Sequence, residues 1–234
     1  MLWLKAWLET RWRIVFVLFM SALFFGTVLA IPRNQPTGDP QRLLTVPLAM
    51  IALLSLIAAI SLAGSGIQTG SARPGASEKG AEGSTLFTLS LPVTRARLFA
   101  VRTVTGMLET AALVSLFAAA ILRVLPSLAV NAHDALGYFA VLVAASVTVY
   151  AISTCLATFL DEGWRFRSSV MALAVLFVLV STKRLPPSMD IFRPLAGASP
   201  LITHQIPWAT IMAACVLAAL LLAAALRIIQ KRDY

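Results

Sequence analysis

The side chains that most often carry out chemistry in proteins are few in this sequence and stand far apart. Cys155 and Cys215 lie inside apolar segments, whereas His133 and His204 lie in two different connections between such segments. Neither pair has the close spacing of a redox pair or a metal site, so the cysteines are expected to be small packing residues. The sequence therefore predicts no catalytic residue, no cofactor and no bound metal.

A serine between two glycines, Gly64-Ser65-Gly66, has the local sequence of an accessible nucleophile. A nucleophilic serine needs a base to take its proton, and no histidine lies in any apolar segment. Small residues near the end of an apolar segment more often allow helices to pack closely. The pattern favours a packing site over the active site of an intramembrane enzyme.

Composition indicates the solvent that surrounds the chain. Of 234 residues, 59% are hydrophobic and 12% are charged, whereas a soluble domain has about 25% charged residues. The apolar residues are gathered into runs of about 17–25 residues, the length needed to cross a bilayer core about 30 Å thick. The sequence therefore predicts an all-α, polytopic membrane protein.

Six apolar runs are long enough to be predicted as transmembrane helices, at 14–31, 43–67, 103–122, 136–160, 168–182 and 208–229. Residues 1–13 mix tryptophans with basic residues, which is typical of an interfacial helix in the headgroup layer, although a disordered start to the first span also fits. The connections leave no room for a soluble domain, so 1–234 is predicted to form a single transmembrane domain.

The net charge of +9 has to be judged by where the basic residues lie. They stand mainly between the apolar runs and are not interleaved with base-stacking aromatic residues, so membrane lipid is the predicted partner and nucleic acid is not. With the N-terminus inside, 13 of the 19 Lys and Arg residues fall on the cytoplasmic side. This excess predicts an even number of spans with both termini cytoplasmic.

The longest polar segment, residues 68–102, changes character near Glu82. Its first part is rich in Gly, Ser and Ala, and its second part places apolar residues ahead of Pro92 and three arginines. This pattern fits a short amphipathic helix at the membrane surface, followed by a turn into the third span. An ordinary interfacial loop with basic residues placed by the positive-inside rule fits it equally well.

The second part of that segment, EGSTLFTLSLPVTRARLFAVRTVTGMLE at 82–109, resembles the cytoplasmic stretch of ABC type-2 permeases, the membrane subunits of many bacterial ABC exporters. In that family an acidic residue precedes an apolar segment, a Leu-Pro-Val/Ile-Ser/Thr-Arg run and a basic helix start. The matching residues are Glu82, Leu91, Pro92, Val93, Thr94 and Arg95. The resemblance in sequence covers about 30 residues, and the layout of the spans agrees along the whole chain.

The resemblance implies a permease subunit of an ATP-driven exporter in the bacterial cytoplasmic (inner) membrane. It implies two partners, a separate ABC ATPase (nucleotide-binding) subunit and a second permease subunit in a homodimer or heterodimer. Residues 68–102 would form the cytoplasmic coupling segment, with Glu82, Pro92, Thr94 and Arg95 docking to the ATPase or shaping the docked segment. The chain has no phosphate-binding Gly-x-x-x-x-Gly-Lys-Ser/Thr loop of its own, so it is not expected to be an enzyme.

Three further features are weighed with this resemblance. Glu109 is an acidic residue within the third span, where a carboxylate is costly and is by default a functional candidate, although snorkelling to the interface also explains it. The charged turn that includes Arg165 and Arg167 is either a second ATPase contact or a solvated turn. The connection at 183–207 is predicted to be external and, by the resemblance, re-entrant.

A membrane scaffold or assembly factor without transport activity is the main alternative function. The composition and the six spans fit it as well as they fit an exporter, because neither depends on a substrate pathway. Copurification with an ATPase whose hydrolysis responds to this chain would separate the two functions.

Overall fold

The structure is a computed structural model that describes residues 2–30, 40–63, 94–124, 131–160, 162–182, 186, 190–195 and 198–231. All regular structure in these ranges is helical, without a β-strand, which confirms the all-α prediction. The helices are α1 (Leu2–Ala30), α2 (Pro40–Leu62), α3 (Arg95–Val124), α4 (Ala132–Ala157), α5 (Glu162–Ser181), α6 (Pro200–Thr203) and α7 (Trp208–Lys231).

Within the described residues, three helices are long and apolar enough to cross a membrane. They are α3 over Ala96–Ala120, α4 and α7, and the shorter apolar stretch Leu48–Leu62 lies in α2. Each of the six predicted spans falls mainly on one of the long helices α1 to α5 and α7. The prediction of a helical membrane protein is therefore supported, and the number of spans remains a prediction.

Two helices begin eight or more residues ahead of their predicted spans. Residues 2–13 run without a break into the first predicted span as part of α1, and their predicted place in the headgroup layer stays a prediction. Helix α3 begins at Arg95, ahead of the predicted start of its span at Thr103, because the Thr94 hydroxyl accepts a hydrogen bond from the backbone N–H of Arg97 at 3.3 Å. A threonine in this position caps a helix N-terminus and satisfies a backbone donor there.

The connection at 183–207 contains two short helical pieces among its described residues. One is the 3-10 turn Arg193–Leu195, and the other is α6, whose N-cap Ser199 accepts a hydrogen bond from Leu201. Ile191, Leu195 and Leu201 are buried in the same core as the long helices. The connection therefore packs against the helices, and its predicted re-entrant depth in the membrane stays a prediction.

Helix α4 occupies the centre of the fold and contacts α2, α3, α5, α6 and α7. Its packing with α7 is the most extensive and uses small residues, Ala144 and Thr148 on α4 and Ala214 on α7. The Thr148 hydroxyl lies 3.1 Å from the carbonyl oxygen of Ala214 on α7 and 2.9 Å from that of Ala144 in its own helix. Small residues let two helices approach closely, which is how helices associate where apolar burial gives little advantage.

A glycine of α3 makes a second close approach to α4. A Cβ atom built on Gly106 would overlap the hydroxyl of Tyr150 and lie 2.9 Å from its Cζ atom. That hydroxyl donates to the backbone carbonyl of Thr103 at 3.3 Å, and Tyr150 is 1% exposed, so the ring has little freedom to move away. The absence of a side chain at Gly106 thus sets the distance between α3 and α4.

Gly106→Ala is expected to lower the melting temperature of the protein in detergent, because an added methyl group in a tightly packed contact costs about 1–3 kcal/mol. The matched control is Gly26→Ala, since a Cβ atom built there meets none of the described residues of other helices within 4 Å. The control is expected to be neutral or to gain up to about 1 kcal/mol from helix propensity. Equal melting temperatures for the two variants would contradict the close contact.

Candidate functional site

Five hydrogen bonds join the first five helices to one another at one end of the bundle. We call the residues that form them the polar layer: Thr10 with Glu109, Arg13 with Ser61, Thr103 with Tyr150, Ala63 with Arg165, and Ser153 with Ser169. The pairs lie in the first halves of α1, α3 and α5, in the second half of α4 and at the end of α2. Neighbouring helices in the chain therefore run in opposite directions.

The end of α2 is held by two arginines from other helices. Arg13 of α1 donates to the carbonyl of Ser61 at 3.2 Å, and Arg165 of α5 donates to the carbonyl of Ala63. The last carbonyls of a helix have no partner within it and carry the negative end of its dipole. A guanidinium group donates hydrogen bonds to these carbonyls, and its positive charge stabilises the negative end of the dipole. The two arginine contacts therefore hold the end of α2 in place.

The backbone of Arg165 is linked to α4 through a pair of serines. The Ser169 hydroxyl makes hydrogen bonds to the carbonyl of Arg165 at 2.8 Å and to the hydroxyl of Ser153 on α4 at 2.9 Å. Arg165 is 2% exposed, so it is not a solvated residue of the turn. Arg167 remains exposed and stacks over Trp164 at 5.6 Å.

Glu109 links α3 to α1 through a single hydrogen bond. The Thr10 hydroxyl lies 2.7 Å from Oε1 of Glu109, and both side chains are buried. Oε2 is also buried and has no hydrogen-bond partner among the described residues. A buried carboxyl oxygen without a partner is costly and calls for an explanation, so Glu109 remains a candidate functional carboxylate.

Of the other residues singled out by the sequence, those that the structure describes lie away from Glu109. Glu82 and Pro92 fall outside the described residues, Thr94 is the N-cap of α3, and Arg95 is its first residue. Fifteen residues of helix separate Thr94 from Glu109, or about 22 Å along the axis. The structure therefore brings Glu109 together with Thr10 and does not bring it together with the start of α3.

Sequence reasoning missed Thr10 as a contact residue, and it placed Arg165 in a charged turn. No local pattern could have paired Thr10 with Glu109, since 99 positions separate them. The one available signal was that these polar residues lie near the predicted ends of apolar segments, where helices on the same side of a membrane meet. Among the residues that the structure describes, no three His, Cys, Asp or Glu side chains come close enough to hold a metal ion.

Arg165→Gln is expected to destabilise the protein by about 1.5–3 kcal/mol, because it removes a buried hydrogen bond from a charged donor to α2. Arg167→Gln is the matched control: its side chain is exposed, and the change should cost no more than about 0.5 kcal/mol. Thermal unfolding of both variants in the same detergent checks the difference. Equal stability of Arg165→Gln and the parent chain would show that the end of α2 does not need this contact.

Thr10→Val is expected to cost about 1–3 kcal/mol, because it leaves both carboxyl oxygens of Glu109 without a partner in the structure. In a Glu109→Leu background the same change should cost much less, since the partner is gone. Thr105→Val is the control, because the Thr105 hydroxyl donates to the Val101 carbonyl of its own helix at 2.8 Å. Additive effects of Thr10→Val and Glu109→Leu on the melting temperature would argue against the bond.

Comparison with known proteins does not identify a family for this chain. It matches no protein-family model, no curated protein and no solved structure. Its function therefore has to be argued from its own residues and contacts.

Proposed function

We propose that this chain is the membrane-spanning permease subunit of an ATP-driven exporter in a bacterial inner membrane. In this proposal α1 to α5 and α7 all cross the membrane, and both termini are cytoplasmic. A separate ABC ATPase subunit docks on the segment at 68–102, and a second permease subunit completes the pathway. The observation that carries the proposal is the run from Glu82 to Arg95, which resembles the coupling segment of ABC type-2 permeases and leads directly into α3.

The continuity of α3 gives this proposal a mechanical basis. The helix extends over 30 residues from Arg95, or about 45 Å, which exceeds the bilayer core of about 30 Å by roughly a half. A stiff helix that begins next to the docking segment tilts as one body when its start is displaced. Such a movement is a hinge or shear transition, the usual way in which domain closure is transmitted.

The polar layer would pass this movement from α3 to its neighbours. Glu109 ties α3 to α1, and Thr103 ties α3 to Tyr150 on α4. Arg13 and Arg165 then connect α1 and α5 to the end of α2, where the segment that leads to the docking site begins. A displacement at the start of α3 therefore acts on all five helices through direct hydrogen bonds.

The charges at the start of α3 favour an acidic partner. Arg95 and Arg97 lie in its first turn, and no acidic residue accompanies them. Positive charge at a helix N-terminus opposes the helix dipole and costs about 0.3–1 kcal/mol per residue. A docked acidic surface or anionic lipid headgroups would offset this cost, and both are available on the cytoplasmic side of a membrane.

Exposed tryptophans support the proposed position in the membrane. Trp12 and Trp164 are 70% and 62% exposed, each lies beneath an arginine, and both stand at the end of the bundle that holds the polar layer. Trp208, 64% exposed, begins α7 at the opposite end. Tryptophan and arginine side chains prefer the headgroup level, so these residues fit the two faces of one bilayer.

The proposal predicts that the tagged full-length chain, extracted in a mild detergent, copurifies with a soluble ATPase. Arg95→Glu should reduce its recovery by about tenfold or more, as expected when a charged docking contact is lost. Pro92→Ala should also reduce it, because proline fixes the backbone of the docked segment. Arg227→Glu is the matched control, since it reverses an exposed charge near the end of α7 and outside the docking segment. Retention of the ATPase by Arg95→Glu and Pro92→Ala at parental levels would place its docking site elsewhere.

Recovery of a well-folded chain without any ATPase, under conditions that keep other membrane complexes intact, would contradict the exporter proposal. That outcome would favour the scaffold or a transporter that works alone. Size-exclusion chromatography of the same sample distinguishes it from loss of the partner through unfolding, because a misfolded chain elutes as an aggregate.

A further inference from the structure

The connection that follows α5 is joined to the start of α4 by a buried carboxylate. Asp134, in the first turn of α4, is 4% exposed, and its Oδ2 atom accepts a hydrogen bond from Nδ1 of His204 at 2.5 Å. A carboxylate can only accept, so the proton of this bond lies on His204. The neighbouring His133 places its Nδ1 atom 3.4 Å from Oδ1 of Asp134, a weaker contact.

The backbone of His204 is held in a conformation that few residues adopt. Its φ and ψ angles of 54° and 22° are left-handed, and its N–H closes α6 on the carbonyl of Pro200 at 3.0 Å. Glycine or asparagine usually occupies such a C-cap. The turn directs the imidazole at Asp134, so an unfavourable backbone conformation accompanies a favourable side-chain contact.

A second contact between the connection and α4 lies one turn beyond Asp134. A Cβ atom on Gly137 would be 2.7 Å from Cγ1 of Ile206 and 3.3 Å from Cβ of Pro200. Pro200 and Ile206, which flank His204 in sequence, therefore pack directly against the backbone of α4 at Gly137. This close packing depends on the connection staying where the Asp134–His204 bond holds it.

Asp134 and His204 are each stabilised in a different way when the hydrogen bond between them breaks. Asp134 lies in the first turn of a helix, where the dipole and the free backbone N–H groups stabilise a carboxylate. The side chain of His204 is 68% exposed and is readily hydrated on release. Each group therefore keeps favourable interactions after the two separate, as a contact that opens and closes repeatedly requires.

We propose that Asp134 and His204 form a reversible latch that holds residues 198–207 against α4 and covers its surface at Gly137. The latch lies at the end of the bundle opposite the polar layer. On the proposed function, which this step requires, that end is the external side, and opening of the latch uncovers the exit from the membrane. A displacement that the polar layer passes to α4 would then also move the other end of this helix, where the latch lies.

The test measures how fast a cysteine at position 206, which the latch holds against Gly137, reacts with a maleimide. Ile206→Cys is introduced into the full chain with Cys155→Ala and Cys215→Ala, and Thr203→Cys in the same background serves as an exposed reference site. His204→Ala removes the donor, and His204→Gly also relieves the backbone. Both are expected to raise the labelling rate of Ile206→Cys at least about tenfold in detergent and to leave that of Thr203→Cys unchanged.

Two controls separate the latch from general loosening. His133→Ala should have little effect, because its contact with Asp134 is long and its side chain is 72% exposed. Asp134→Ala should raise the rate as His204→Ala does, and the double variant should raise it no further, since both remove the same bond. Equal Ile206→Cys rates with and without His204 would overturn the latch, and the exposed position of His204 keeps that variant able to fold even where Asp134→Ala does not.

The same reagents distinguish failure of the latch from failure of the proposed function. With a membrane-impermeant maleimide added to intact cells, Thr203→Cys should be labelled from outside. Labelling only from inside would refute the proposed orientation, while the comparison in detergent would still decide the latch. A latch that opens in His204→Ala in a chain that recovers no ATPase would leave the contact established and the exporter proposal refuted.

Discussion

Helix α4 is surrounded by other helices on nearly every side, and the rest of the structure depends on how closely they can approach it. Small residues set the distance at three of these contacts: Gly106 faces Tyr150, Ala214 lies against Thr148, and Gly137 lies beneath Ile206. In lipid, burial of apolar surface gives helices little reason to associate, so contact area and hydrogen bonds must hold them together. A central helix lined with small residues provides both.

The apolar surroundings of a membrane protein also determine where its polar groups can be placed. The free carbonyls at the end of α2 and the buried carboxyl of Glu109 would be costly in an apolar medium, and each finds a donor on another helix. Because the helices alternate in direction, the first halves of three helices meet the second halves of two others in one layer. The need to satisfy polar groups thus produces a set of links between helices, and these links are the means by which a movement of α3 would reach the others.

The two ends of the bundle have different characters. One end joins five long helices through arginines and hydroxyls, next to the basic start of α3. The other end fastens a short irregular connection to α4 through Asp134 and His204. An exporter needs a stiff region that receives force and a region that opens, and the two ends fit these requirements. The resemblance around Pro92 and Arg95 proposes where the force enters, and the contacts describe how it would spread.

The sequence by itself determined that the protein is helical and suited to a membrane, because length and hydropathy of each run depend only on neighbours in the chain. It did not locate the start of α3, which lies eight residues ahead of the predicted span, although the Thr94 cap that marks this start is a local contact. It did not reveal that α1 is one helix, nor the roles of Arg165 or His204. Only the tertiary structure decided those, as it decided that Glu109 meets Thr10, because a hydrogen bond between distant residues depends on how the helices pack and not on what precedes or follows each residue.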